Sequence, residues 1–254
     1  DVSRQIALIT GASSGIGRAF AQYYAEAGFD LVLVGRDVEQ LTLVSEEVVA
    51  AGATSQICAA DLSESDGVKS VLACYAQPDV VVANAGVTIA GRVGSREWAD
   101  LEQMNYLLGV GVAQLLEGIV PAMTQRGSGD ILIVSSIASL ITMPNSVMYA
   151  ASKSFVTAYG RSLAAETERF GVRVCVLCPG YVHTNLHERA GLAHLEKQVP
   201  GWMWVSSDTV VQAGIRGLRR KKIVVVPGRV YRSVRPFLNS RTAQRLWRQL
   251  TKRR

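Results

Sequence analysis

Tyr149 and Lys153 stand four residues apart, and Ser136 lies thirteen residues before the tyrosine. Positions i and i+4 share one face of a helix, so a phenol and an ammonium so spaced work side by side. A free tyrosine has a pKa of about 10, too high for easy proton exchange at neutral pH. A fixed cation beside it favours phenolate and lowers that value. A serine hydroxyl brought to the same place holds a carbonyl oxygen. Together these groups pass a proton to or from a C–O group. A bare Tyr-x-x-x-Lys arises often by chance, and its setting gives it weight.

That setting is a strand, a loop and a helix. Residues 130–136 are an apolar strand pattern ending in small polar residues, and a helical pattern opens at 146–149 and runs to Phe170. Serine and tyrosine then meet at the carboxyl end of a strand, where open α/β sheets place their ligands. A second motif agrees. Residues 5–10 form an apolar strand that runs into Gly11-Ala-Ser13-Ser14-Gly15-Ile16-Gly17, and a helix is expected from about residue 18 to 27. Glycines between strand and helix let the backbone approach a pyrophosphate, which meets the free N–H groups of the helix start. The spacing is G-x-x-x-G-x-G rather than the general G-x-G-x-x-G.

With these motifs in order, the chain resembles the short-chain dehydrogenase/reductase family. The carriers are Thr10 to Gly17, Asn84-Ala85-Gly86 after the fourth strand, Asn105 in the following helix, the set Ser136, Tyr149 and Lys153, and Pro179-Gly180 with Val182 and Thr184. The resemblance spans about residues 2–184 and weakens towards 227. It implies hydride exchange with a nicotinamide cofactor. Tyr149 would be the acid in reduction and the base in oxidation, and Ser136 would position the substrate oxygen. Lys153 would bond the nicotinamide ribose and depress the tyrosine pKa. Asn105 would hold a water linking Lys153 to solvent, unless it is simply a buried helix polar group. Between neighbours Ser135 and Ser136, the family's offset from tyrosine selects Ser136, and Ser139 is expected on the substrate side. Ser13, Ser14, Gly15, Ile16 and Gly17 would hold the dinucleotide, and Asp61 and Leu62 would contact its adenine.

The second strand pattern, residues 30–35, bears on cofactor choice. An acid at its end would bond an adenosine 2′-hydroxyl and repel a phosphate. Gly35 leaves room there, and Arg36 can fork onto a phosphate. NADP(H) is therefore the expected cofactor. The counter-reading makes Arg36 an ordinary solvated residue with Asp37 beside it.

At 254 residues and 48% apolar, the chain suits one α/β domain. Apolar runs at 5–10, 30–35, 54–60, 80–84, 130–135, 172–178 and 223–226 alternate with helical stretches. Runs apolar throughout indicate a Rossmann-type doubly wound parallel sheet. The domain is read as residues 1–228, followed by a basic extension at 229–254. Cys175 and Cys178 have C-x-x-C spacing, yet three residues apart on a strand they face opposite sides, so no zinc site is expected. His183, His187 and His194 are read as lid residues. No secretory signal is seen before the first strand, and a cytoplasmic setting is expected. Residues 131–152 carry no charge, which invites a membrane span, but strand, loop and helix explain them better.

Charge is uneven. Residues 209–254 hold fourteen of the 27 Lys and Arg and no acid, leaving 13 basic residues against all 21 acidic ones before them. Ala243, Leu246, Trp247 and Leu250 fall on one helical face, with Arg241, Arg245, Arg248 and Lys252 on another. Such a helix either docks on the domain or another subunit, or lies on an anionic membrane surface. No recognition motif accompanies the charge, so nucleic acid is not an expected partner. Residues 183–207 should form a lid carrying Leu186, Leu192, Leu195, Val199, Trp202, Met203 and Trp204, which suits an apolar substrate, although the tryptophans also fit as packing residues. The stretches 199–204 and 224–228 resemble a bacterial subgroup that includes actinobacterial reductases of the 3-oxo group of mycolate-type lipid precursors. The resemblance further implies a homo-oligomer packed through the helices around Asn105 and Tyr149. The leading expectation is an NADPH-dependent reductase of a bulky ketone or 3-oxoacyl lipid. An alcohol or steroid dehydrogenase working oxidatively is the alternative, and a nucleotide-binding scaffold without turnover is a third.

Overall fold

The apolar runs pair side by side into one seven-stranded sheet of order β3-β2-β1-β4-β5-β6-β9, with every pair parallel. The strands are β1 (Ile6–Thr10), β2 (Asp30–Gly35), β3 (Ser55–Ala59), β4 (Val80–Ala83), β5 (Gly129–Val134), β6 (Val172–Leu177) and, at the far edge, β9 (Val224–Val225). Two short strands, β7 (Tyr181–Val182) and β8 (Trp204–Val205), pair apart from it. This is a computed structural model, and it describes residues 4–184, 199–228 and 231.

Alternation along each strand divides the core in two. Leu8, Val32, Val34, Val81, Ile131, Ile133, Val174 and Val176 face one layer. Ala7, Ile9, Leu31, Leu33, Val80, Val82, Leu132, Cys175 and Leu177 face the other. A strand buried on both faces must be apolar at every position, which is why the runs do not alternate in sequence. The helices α3 (Ser65–Cys74), α5 (Gly111–Arg126) and α6 (Val147–Thr167) cover the first face, through Val68, Val71, Leu115, Leu116, Ile119, Val156 and Ala164. The helices α1 (Gly15–Glu26), α2 (Val38–Ala50) and α7 (Ser207–Arg219) cover the second, through Phe20, Tyr24, Leu41, Val44, Val210, Ile215 and Leu218. Cys175 and Cys178 lie in opposite layers, and neither is in a disulfide.

A continuous helix runs from Trp98 to Arg126. It comprises α4 (Trp98–Asn105), a π turn at Tyr106–Val110 and α5. By length and composition it could cross a membrane. Here Met104, Leu108, Leu115, Leu116, Ile119 and Met123 are buried in the protein. The charge-free run 131–152 instead divides among β5, a 3-10 turn at Ile137–Ser139 and the start of α6.

Several expectations change. Helix α1 begins at Gly15, three residues before the expected start, so the loop's last glycines belong to its first turn. The strands match within about one residue at either end. Tyr231, in the stretch read as the basic extension, has a buried ring, and its hydroxyl donates to the Met203 carbonyl at 2.5 Å and accepts from the Tyr181 N–H at 3.2 Å. Met203 and Trp204, expected as an apolar lid, are core residues in the same layer as Tyr231. The Trp204 indole donates to the Val199 carbonyl at 3.3 Å and stacks on His183. Among the described residues of this group, only Trp202 is well exposed. The rest of the lid, with His187 and His194, and the basic helix around Trp247 lie outside the described residues.

Candidate active site

Strand order reverses at β1, whose neighbours β2 and β4 lead away in opposite directions. At such a switch point the loops leaving the two central strands diverge and open a crevice above their carboxyl ends. A cleft of about 730 Å³ occupies this place.

The loop after β1 forms its floor. Gly11 has φ +65° and Gly15 φ +56°, a region in which only glycine sits without strain. A Cβ on Gly17 would stand 2.1 Å from the Gly11 carbonyl oxygen, so the helix start can tuck beneath the loop only with glycine there. Thr10 ties this loop to β4, its hydroxyl accepting the N–H groups of Asn84 at 2.9 Å and Ala85 at 3.0 Å. The Asn84 amide in turn donates to the carbonyls of Thr10 at 3.0 Å and Gly11 at 3.3 Å. Ser14 at the N-cap of α1 makes no side-chain capping bond. The first turn of α1, with the positive end of the helix dipole, thus meets the cleft beside glycine backbone at Gly11 and Gly15, with Ser13, Ser14 and Ile16 also lining it. That cradle fits a dinucleotide pyrophosphate.

At the other end, Ser136, Tyr149 and Lys153 line the cleft together. Ser136 ends the extended backbone of β5 and caps the 3-10 turn, accepting from the Ala138 N–H at 3.1 Å. Ser135, its rival, faces inward: its hydroxyl donates to the Lys153 carbonyl at 3.0 Å and shares a 2.7 Å bond with Thr157. Tyr149 packs its ring with Met104, Leu108 and Ala138. Lys153 is buried, and its ammonium donates to the Val134 carbonyl at 2.8 Å. Burial pushes its pKa down to about 8, with the Cys178 thiol a lesser influence in the opposite sense. It thus remains a cation at neutral pH.

Arg36, Asp61 and Leu62, expected to meet the adenosine half of a dinucleotide, also line the cleft. Arg36 pairs with Asp61 at 3.3 Å, both half-exposed, a pairing that the sequence reading did not contain. Burial tends to raise the Asp61 carboxyl, but hydrogen bonds from the Ser63 N–H and hydroxyl, with Arg36 beside it, hold it below the usual range. Asp37 is spent as the N-cap of α2, accepting from the Gln40 N–H at 3.1 Å. It therefore competes little for whatever Arg36 binds.

All the expected cofactor residues line the cleft except Gly17, which lies buried under the loop. Pro179, Gly180, Val182 and Thr184 form the far wall. Thr184 packs on Gly15, and Gly180 packs so closely on Tyr231 that a Cβ would stand 2.0 Å from its ring. Asn105 does not line the cleft: its side-chain oxygen accepts from the Ser152 hydroxyl at 2.8 Å, one residue before Lys153. Ser139 also departs from expectation, its hydroxyl turning to the Ser136 carbonyl at 2.7 Å. Val87, Thr88, Leu107, Leu108, Met143 and Tyr181 line the cleft without having been foreseen. For Val87 and Thr88 the signal was their position just after Asn84-Ala85-Gly86.

A family model described as short chain dehydrogenase matches residues 5–193. The chain belongs to this family. Its relatives include a dehydrogenase/reductase SDR family member 7B of Bos taurus, 35% identical over 73% of the chain and 60% of that protein. The chain thus spans about three fifths of that relative's length. An uncharacterized oxidoreductase of Mycobacterium tuberculosis is 33% identical over 90% of the chain and 88% of its own length. Among solved structures, a short-chain dehydrogenase from Sphingobium yanoikuyae in complex with NADPH superposes with a TM-score of 0.84 and 26% identity, covering 96% of this chain and 95% of its own. As a member of this family, the chain carries its fold over the described residues, and the glycine loop and the Ser136, Tyr149 and Lys153 set line one cleft of it.

Proposed function

We propose that this protein reduces a carbonyl with NADPH. The observation that carries the reading is the convergence of Ser136, Tyr149 and Lys153 on the same cleft as the glycine-rich loop at the start of α1. A bound nicotinamide supplies the hydride; the chain's own groups bind, orient and move the proton. Ser136 donates to the substrate carbonyl and Tyr149 delivers the proton to that oxygen as it gains charge. Lys153 holds positive charge beside the phenol and bonds the nicotinamide ribose. Proton transfer by a positioned acid of this kind contributes about 100- to 10,000-fold in rate. Asn105 is a positioning residue that fixes the Ser152 turn of α6 and hence the root of Lys153.

Arg36 beside Gly35 supports NADP(H) over NAD(H), as a guanidinium fork matches a 2′-phosphate. The bound NADPH of the Sphingobium relative agrees. Val87, Leu108, Ala138 and Met143, clustered with Tyr149, give the reaction end apolar walls, which favours a bulky or lipid-like ketone such as a 3-oxoacyl derivative. Val110 in the π turn before α5 and Phe155 on α6 are exposed apolar residues, which supports a homo-oligomer through this face.

The test is Tyr149→Phe, followed by NADPH absorbance with a panel of 3-oxoacyl thioesters, steroids and aromatic ketones. Turnover should be lost while NADPH fluorescence reports unchanged binding. Retained turnover would remove Tyr149 from the proton transfer.

A further inference from the structure

Thr88 carries a polar group that no part of this account uses. It follows Gly86 by two residues and lines the cleft. The residue is only 7% exposed. Its hydroxyl is fully buried, and among the described residues no partner lies within hydrogen-bond reach of Oγ1. Buried hydroxyls are almost always satisfied, because leaving one without a partner forfeits its bonds to water. Such a group on a cleft wall is explained when a ligand atom completes it.

The neighbours fix which end of the ligand that is. A Cβ on Gly86 would stand 4.0 Å from Lys153 Nζ. Val87 and Ile89, on either side of Thr88, pack on the cluster that holds the Tyr149 ring. Thr88 thus belongs to the reaction end, away from Arg36 and Asp61. The reacting oxygen is already served there by Ser136 and Tyr149, and the ribose by Lys153. The reacting carbonyl therefore leaves Thr88 to bond some other oxygen.

We infer that the Thr88 hydroxyl is a specificity-determining contact, bonding a second oxygen at the reaction end beyond the one that reacts. That oxygen belongs either to the nicotinamide half of the cofactor or to the substrate, as in a 1,3-dioxygenated compound. The inference rests on the reading of the cleft given above.

The experiment uses Thr88→Val, which keeps the shape and removes the hydroxyl, and Thr88→Ser, which keeps the hydroxyl. NADPH affinity is measured by fluorescence without substrate. KM and kcat are measured with a 3-oxo ester and with the monoketone that lacks the ester oxygens. One lost hydrogen bond corresponds to about 2- to 10-fold in affinity. If the partner is on the cofactor, T88V weakens NADPH binding by that factor and treats both ketones alike. If it is on the substrate, NADPH affinity holds, KM rises for the 3-oxo ester, and the monoketone is unaffected. T88S restores either value. The cofactor-free T88V protein should be at least as stable as the parent, since no protein bond is lost.

Unchanged NADPH affinity together with unchanged KM for both ketones overturns the inference alone. So does a clear loss of stability without ligand, which would give the hydroxyl a protein partner. Wild-type protein that binds no nicotinamide dinucleotide overturns the parent reading, and this one with it.

Discussion

Lys153 offers the sharpest test of the electrostatics. Its ammonium lies inside the protein, and burial lowers its pKa from 10.5 to about 8. At pH 7 the folded protein must keep this buried charge while the unfolded chain keeps it in water. The gap converts to roughly 3 kcal/mol of lost stability at neutral pH, at about 1.4 kcal/mol per pKa unit. The sign follows from proton counting. Between about pH 8 and 10.5 the unfolded chain binds more protons than the folded one, so this contribution to stability rises with pH across that window. Lys153→Met removes the charge and keeps much of the volume. It also forfeits the bond to the Val134 carbonyl, a loss of about 1 kcal/mol that does not depend on pH. The telling quantity is therefore the pH dependence of the difference between variant and parent. Urea unfolding of the cofactor-free proteins at pH 7 and pH 9.5 reads it. The parent should gain on the variant by about 2 kcal/mol over that interval, other titrating groups cancelling in the comparison. A difference that stays flat refutes a buried ammonium, and with it the fixed cation invoked beside Tyr149.

Further outcomes follow from the same geometry. Arg36→Ala should cost about 10- to 100-fold in kcat/KM for NADPH, the worth of a charge-assisted contact, and change NADH little; equal losses with both would remove the phosphate from its role. Gly180→Ala drives a methyl into the Tyr231 ring and should cost about 1–3 kcal/mol in urea unfolding, and pairing it with Tyr231→Ala should recover part of that loss. The basic stripe of residues 241–252 is proposed to favour anionic surfaces by about 1 kcal/mol for each basic residue near the lipid. Sedimentation with phosphatidylserine vesicles should fall when residues 239–254 are removed, and equal sedimentation would assign that segment to protein packing.

Much of the sheet was legible because a strand covered on both faces has to be apolar at every step. The glycine loop and the Ser136, Tyr149 and Lys153 spacing were legible because each residue type there answers one local requirement. What the sequence hid was set by tertiary contact. Glycine is a poor helix former, so the sequence pattern starts α1 after Gly17. In the fold, close packing of Gly17 on Gly11 overrides that preference. Trp204 and Met203 sit in a stretch that suggests a lid, and nothing local announces that Tyr231, almost thirty residues on, will bury them. The Arg36 and Asp61 pair joins residues from the ends of two adjacent strands. Thr88 has no local signature: a lone threonine in a loop gains meaning only from the fold that leaves its hydroxyl buried without a partner.

Tyr231 has one more implication, for the order of assembly. Five central strands and the loop that cradles phosphate are complete once residue 177 has been made. The segment carrying Pro179 and Gly180 rests on a phenol synthesised some fifty positions later. A nascent chain would therefore reach dinucleotide-sized shape early and stiffen its last wall late. Fragments ending between these points should fold as loose-sided cups, prone to hold a cofactor weakly and a substrate hardly at all.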